Sequence, residues 1–182
     1  MTRIPLPSTI NDAPAKSRPA LEAVNASLGS VPNLFRITAN SPAALTGYLD
    51  LSSALTKGDL PAATRERIAL AVAEQNGCDY CLSAHSYIAS NVTKLDQAEI
   101  AANRHGGSTD PKADAAVKLA VKLVEARGRV SEADVAAVKT AGYSDAQLVE
   151  IIAHVALNTL TNYLNEALGT PIDFPVVTRS AA

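Results

Sequence analysis

Glu66-Arg67-Ile68-Ala69-Leu70-Ala71-Val72-Ala73-Glu74-Gln75-Asn76-Gly77-Cys78-Asp79-Tyr80-Cys81-Leu82-Ser83-Ala84-His85 holds both cysteines of the chain, one of its three histidines and a carboxylate upstream. The stretch reads as helix, break, helix. Pro61 starts the first helix, which runs to about residue 75 and ends at Asn76-Gly77, where glycine supplies the left-handed conformation that terminates helices. Cys78 then falls at or near the start of a second helix continuing to about Ser90.

Helix signals continue on both sides. Upstream, Ser41-Pro42 is an N-cap followed by a first-turn proline, opening a helix to about Leu55 or Thr56 that Gly58-Asp59 interrupts. Val31-Pro32-Asn33-Leu34-Phe35 carries two large apolar side chains and a proline, and is read as a packed connector into a short helical turn. Ser17 caps a helix to Leu28, with Pro19 in its first turn and Gly29 at its end. Residues 1 to about 15 are Pro-rich and aperiodic, an extended arm that is ordered only by lying on something else; residues 16–182 are expected to form one helical domain. Downstream, Thr93 and Asp96 mark a short helix to about Arg104, closed by Gly106-Gly107. Asp110-Pro111 opens a periodic helix with Val117, Val121 and Val124 flanked by Ala115, Leu119 and Lys122, and Gly128 stops it. Ser131 with Asp134, and Ser144 with Gln147, are capping boxes. The first opens a helix ended by Gly142, the second the longest helix, about 145 to 168, with Gly169 and Pro171 behind it. No stretch alternates as a strand does, so the fold class is all-α, with about seven or eight helices and no internal repeat.

Composition agrees. Hydrophobic residues make up 47% of the 182, aromatic ones 4%, and Trp is absent, so the core must come from Ala, Leu, Val and Ile in closely packed helices. A formal net charge of -2 without a long basic run leaves no electrostatic footprint for nucleic acid or an anionic membrane. No secretory pattern opens the chain and no span of about 18 apolar residues exists, so the expected location is the cytoplasm. In that reducing compartment two cysteines three residues apart read as a redox or metal pair, because a bridge of that span closes too short a loop to stabilise much.

Cys81 and His85, at i and i+4, share one helix face, and Cys78, at i−3, lies across the first turn from Cys81. The thiolate is the reactive form, against a reference thiol pKa of about 8.5. The helix N-terminus and a base one turn away both lower that pKa. The dipole alone, worth roughly 0.3–1 kcal/mol, favours Cys78; a base at hydrogen-bond range outweighs it and favours Cys81. Glu66 lies on a small-residue stripe with Ala62, Ala69, Leu70 and Ala73, where a carboxylate is costly without a partner. His85 is the candidate partner, giving a carboxylate that orients an imidazole that deprotonates a thiol. Three of these groups would also ligate zinc, with Glu66 or His154 as the fourth, but no second C-x-x-C or His pair accompanies them; no metal and no cofactor are assigned. His154, Asn158 and Asn162 form a polar stripe on the last helix opposite Leu148, Ile152, Leu160 and Leu164, read as a solvated or interface face. His105 is read as a surface loop residue, and Arg65 and Arg67 as ion-paired surface residues. Tyr80, Ser83 and Ser86 lie near enough to the cysteines to line a site.

The spacing of Glu66, Cys78, Cys81 and His85, with Asn76-Gly77 before the first cysteine, resembles the AhpD-like alkylhydroperoxidases of the carboxymuconolactone decarboxylase superfamily. Val31-Pro32-Asn33-Leu34-Phe35-Arg36, Asn162-Tyr163-Leu164-Asn165 and Gly169-Thr170-Pro171 resemble its uncharacterised peroxidase-related branch, so the similarity covers most of the chain from about residue 30. It implies a thiol-dependent peroxidase acting on organic hydroperoxides or hydrogen peroxide: Cys81 the peroxidatic thiolate, Cys78 the resolving thiol, His85 the proton acceptor and Glu66 the relay that keeps it basic. It also implies a dithiol reductant, either a lipoyl protein or a thioredoxin-like partner, and a homo-oligomer, a trimer or hexamer. The founding alkylhydroperoxidase type has a second histidine between its cysteines; Tyr80 stands there in this chain, able to donate a hydrogen bond but a poor base at a reference pKa of about 10. Two other functions are open: a redox-sensing or disulfide-exchange protein without peroxidase turnover, and a lactone decarboxylase, whose branch generally lacks the cysteine pair.

Overall fold

The computed structural model describes residues 1–180, which contain nine α-helices and no strand. These are α1 (Arg18–Leu28), α2 (Asn33–Thr38), α3 (Pro42–Thr56), α4 (Ala62–Gln75), α5 (Asp79–Asn91), α6 (Gln97–Arg104), α7 (Pro111–Glu125), α8 (Glu132–Thr140) and α9 (Asp145–Leu168). The fold is all-α, as the sequence predicts. The helix beyond the expected seven or eight is α2, the six-residue turn after Val31-Pro32.

The fold is built around α4. Ile68, Ala69, Leu70, Ala71, Val72 and Ala73 are all buried, and α4 packs against α5, α6, α7 and α9. A helix apolar on every side has to sit in the interior, and its alanines let the neighbours approach closely. Ile68 and Val72 join Leu119, Leu123, Val138 and Ile151 in the core shared with α7, α8 and α9. Ala62, at the exposed first residue of α4, stands outside the buried stripe predicted for Glu66. Gly77 ends the helix at φ 67, with Cys78 N–H donating to Ala73 O at 2.9 Å. This left-handed turn sets the angle at which α5 leaves α4.

Two further details differ from the sequence reading. Ser17 occupies the N-cap position of α1, but its buried hydroxyl donates to Ala39 O at 2.7 Å and ties α1 to the turn after α2. On α7 the inward face is Ala113, Ala116, Val117, Leu119, Ala120 and Leu123; Val121 and Val124 are only half-buried, because small alanines are what the close approach to α4 demands.

Both ends of the described chain lie on the helices. Arg3 N–H donates to Leu168 O at 2.9 Å, its guanidinium reaches Ala167 O at 2.8 Å, and Arg36 donates to Ser8 O. Within this segment Ile10–Asp12 and Ala15–Ser17 form 3-10 turns rather than extended chain. Beyond α9 the chain returns across α5: Val177 N–H donates to Ser83 Oγ at 2.9 Å, Arg179 N–H to Asp79 Oδ1 at 2.9 Å, and Arg104 to Thr178 O at 2.7 Å.

Glu99 secures the far side of α4. Only 3% exposed, it accepts from Arg67 Nε at 2.6 Å, Asn103 Nδ2 at 2.8 Å, Ser108 Oγ, and both the backbone and hydroxyl of Thr109. Burial alone would raise its pKa, but these donors hold it well below the usual carboxylate range. Arg67 is thus ion-paired as expected, but half-buried rather than on the surface. Glu99→Ala should cost about 3–5 kcal/mol, read from urea unfolding, since it leaves the half-buried Arg67 guanidinium and the Asn103, Ser108 and Thr109 donors without their shared acceptor. A carboxylate with a depressed folded pKa stabilises fully above its unfolded pKa, about 4.3. The Glu99 contribution should therefore fade as pH falls through and below that value, and be missing from the variant's acid-unfolding curve.

Candidate active site

Cys78 is the N-cap of α5, and its Sγ accepts from Cys81 N–H at 3.4 Å. A sulfur in the role usually taken by Ser or Asp holds the two cysteines across the first turn. Both are reduced thiols and essentially buried, 0% and 2% exposed. Of the two, only Cys81 lines the cavity, of about 150 Å³, that lies between α3, α4, α5 and α9 and reaches the surface at exposed Thr56.

His85, one turn along α5, lines the same cavity, and its Nδ1 lies 2.9 Å from Glu66 Oε2. With the proton on Nδ1, His85 donates to the carboxylate and leaves Nε2 as the basic atom. Burial alone would push the His85 pKa down; the Glu66 charge and hydrogen bond reverse this and hold it above the ordinary imidazole value. Glu66, Cys81 and His85 are thus brought together on one wall, with Cys78 behind Cys81.

Tyr80 lines the cavity, but its hydroxyl accepts from Leu34 N–H at 3.0 Å and its ring stands edge-on to Phe174. Burial pushes its pKa well up, so it is a fixed neutral wall of the site. Ser83 and Ser86 do not line the cavity: Ser83 Oγ bonds Asp79 O and the Val177 amide, and Ser86 Oγ is buried without a partner. Exposed His105 bonds Ala101 O. No group of three or more His, Cys, Asp or Glu side chains among the described residues is arranged to hold a metal ion.

The largest correction concerns α9. The stripe expected to face solvent or a partner is buried: His154 5%, Asn158 7% and Asn162 0% exposed, with Thr161 and Asn165 beside them. Ile152 and Leu160, expected opposite, are the residues left exposed. All of these polar side chains but His154 have a hydrogen-bond partner inside. Asn165 Nδ2 donates to Cys81 Sγ at 3.3 Å, Asn162 Oδ1 accepts from Asn76 Nδ2 at 2.8 Å, and Asn158 and Thr161 bond the helix's own carbonyls. His154, Asn158 and Thr161 line the cavity. Tyr48 on α3 does too; burial and the neighbouring Cys81 push it up to about 12, so it remains a neutral hydroxyl. The available signal was composition: three asparagines and a threonine at helical spacing are poor helix formers, which favours a reading in which their side chains bond elsewhere.

These groups act unequally on the two thiols. Cys81 is lowered below the ordinary thiol value, first by the hydrogen bond from Cys78, against burial, and then by the His85 charge and the Asn165 and Asn162 amides. Cys78 is raised, by its bond to Cys81 and by burial. Asn165→Leu keeps the volume and removes the donor, so the midpoint pH for iodoacetamide alkylation of Cys81 should rise by about half to one unit.

Residues 42–122 match the carboxymuconolactone decarboxylase family model. No curated protein matches the sequence. Among solved structures, the chain is similar to an uncharacterised peroxidase-related protein with an alkylhydroperoxidase AhpD core from Ralstonia eutropha JMP134, at 28% identity and TM-score 0.83 over 94% of this chain and 92% of that one. It is also similar to an uncharacterised peroxidase-related protein from Silicibacter sp. TM1040, at 24% identity and TM-score 0.80 over 93% and 91%. The debrominase Bmp8, in complex with 2,3,4-tribromopyrrole, shares the fold at 21% identity and TM-score 0.78 over 95% and 94%. An all-α AhpD-like core is the class these matches define. The fold is that of the AhpD-like peroxidase-related structures, and residues 42–122 carry the sequence pattern of the carboxymuconolactone decarboxylase family.

Proposed function

We propose that the protein is a thiol-dependent peroxidase. The observation that carries this reading is the asymmetry of the cysteines: Cys81 faces the cavity and is acidified, whereas Cys78 lies behind it and is not. In the reaction Cys81 thiolate attacks the terminal oxygen of a hydroperoxide. An S–O bond forms as the O–O bond breaks, sulfur is oxidised by two electrons to the sulfenic acid, and the departing alkoxide takes a proton from the His85 imidazolium to leave as the alcohol. Glu66 holds that imidazolium in place. Cys78 then attacks the Cys81 sulfur, its own proton leaves with the hydroxyl as water, and a Cys78–Cys81 disulfide remains. A dithiol, from a lipoyl protein or a thioredoxin-like partner, takes the disulfide back to two thiols. Steady-state loss of hydroperoxide with dihydrolipoamide or dithiothreitol tests the reading. Sustained turnover supports it; thiols that oxidise once without turnover at saturating dithiol would make the protein a redox sensor instead.

The acting unit is a homo-oligomer in this proposal. Val149, Ile152, Leu160 and Tyr163 are 43–64% exposed along the outer side of α9, a stripe that a second copy would cover. Light scattering should give a multiple of the single-chain mass; one chain's mass at micromolar concentration would refute it. No helix among the described residues is long and apolar enough to cross a membrane.

A further inference from the structure

The cavity has a second end. Cys81, Tyr80, Thr161, Arg65, Thr56 and His154 all line it, and on α9 the residue bonded to Cys81, Asn165 at 3.3 Å, lies eleven positions beyond His154. Thr161 and His154 are seven residues apart on α9, which is about 10 Å of helix rise. A space of only about 150 Å³ drawn out over that length is a narrow slot, well under the usual range for drug-sized ligands.

The remote end is polar in a way the thiol chemistry does not use. His154 is 5% exposed, and its Nε2 is buried with no hydrogen-bond partner. Among the described residues no protein group satisfies this atom, so it can bond a ligand that enters the cavity. Arg65 makes no ion pair among the described residues. Its Nη1 donates to Leu60 O at 2.7 Å, with a long contact to Thr56 O, and its Nε and Nη2 have no partner there. The carboxylates nearby are already engaged, Glu66 by His85 at 2.9 Å and Glu150 by the Asp59 and Leu60 amides at 2.9 Å each. Burial and the Arg65 charge keep His154 neutral, down to about 4, with Glu150 and Glu66 opposing. It therefore meets a ligand as a hydrogen-bonding neutral ring beside an unpaired guanidinium.

We infer that Arg65 and His154 form a carboxylate-binding subsite at the end of the cavity remote from Cys81, so that the slot takes a short, unbranched organic acid whose opposite end reaches the thiol. Resting on the peroxidase reading, this makes the substrate a linear hydroperoxy carboxylate. Arg65 supplies the charge-assisted hydrogen bond and His154 the second donor. Leu34, Ala69, Ala84 and Leu157 line the same cavity and provide apolar contact for an alkyl chain.

Two measurements test this. Hexanoate should protect Cys81 from iodoacetamide, and hexanol at the same concentration should protect at least tenfold less effectively. Arg65→Gln should bring the two to within about twofold of each other, and His154→Gln should weaken hexanoate protection severalfold. Because Arg65 also bonds Leu60 O, both variants are checked for unchanged helicity, and His154→Gln, which leaves that bond intact, is the independent arm. Equal protection by hexanoate and hexanol in the wild type, or a hexanoate preference that both variants retain, overturns the subsite. The second measurement compares kcat/KM for ω-hydroperoxyhexanoate and its methyl ester, with hydrogen peroxide as a third substrate. The acid should be preferred at least tenfold, and a ratio near one overturns the inference. Hexanoate protection without turnover of any of the three peroxides would refute the peroxidase reading and leave the subsite standing.

Discussion

Cys81→Ser is expected to lower hydroperoxide consumption by roughly a thousandfold or more, because it removes the only sulfur that faces the cavity. Cys78→Ser should behave differently. The serine hydroxyl can still donate to the Cys81 sulfur, so one equivalent of hydroperoxide should be consumed at a rate close to wild type. The product is then a Cys81 sulfenic acid with no resolving thiol, trappable by dimedone. Steady-state turnover should fall although the first step survives. Stopped-flow measurement of the first turnover separates the two variants. If Cys81→Ser kept the fast first step and Cys78→Ser lost it, the roles of the cysteines would be reversed.

The second large effect belongs to Glu66→Gln. The amide keeps the shape and can still bond His85 Nδ1, but the charge that stabilises the imidazolium formed when Cys81 ionises is gone. The sign follows from the causes acting on each group: Glu66 raises the His85 pKa, and the charged His85 lowers that of Cys81. Without the carboxylate, His85 should become less basic and the Cys81 midpoint should move up toward the ordinary thiol value of about 8.5. At neutral pH the loss in reactivity should be roughly tenfold to a hundredfold, part of a general-base contribution of about 10²–10⁴. The check is alkylation of Cys81 against pH in a Cys78→Ser background, with and without Glu66→Gln. Superimposable curves at equal helicity would make Glu66 a structural carboxylate.

The helices were legible because their ends carry local chemistry. Ser41, Asp96, Asp110, Ser131 and Ser144 each accept a first-turn amide, and Gly29, Gly77 and Gly169 each take positive φ where a helix stops. The proximity of Cys81, His85 and Cys78 also follows from positions within one helix. The facing of α9 was not legible, because hydrophobicity alone assigns Ile152 and Leu160 to the core and the asparagines to water. The amide partners of Asn162 and Asn165 lie 86 and 84 residues away, on Asn76 and Cys81. Contacts of that separation leave no periodic trace. The same holds for Tyr48 and for the return of residues 170–180 across α5.

Reaction of the reduced protein with a single equivalent of hydroperoxide, followed by intact-mass and peptide analysis, tests the central claim most directly. The account predicts stoichiometric formation of the alcohol, loss of two hydrogens from the chain and a Cys78–Cys81 disulfide, faster than a free thiol at the same pH. A chain of unchanged mass with the hydroperoxide intact, or cysteines that oxidise no faster than a free thiol, would contradict it.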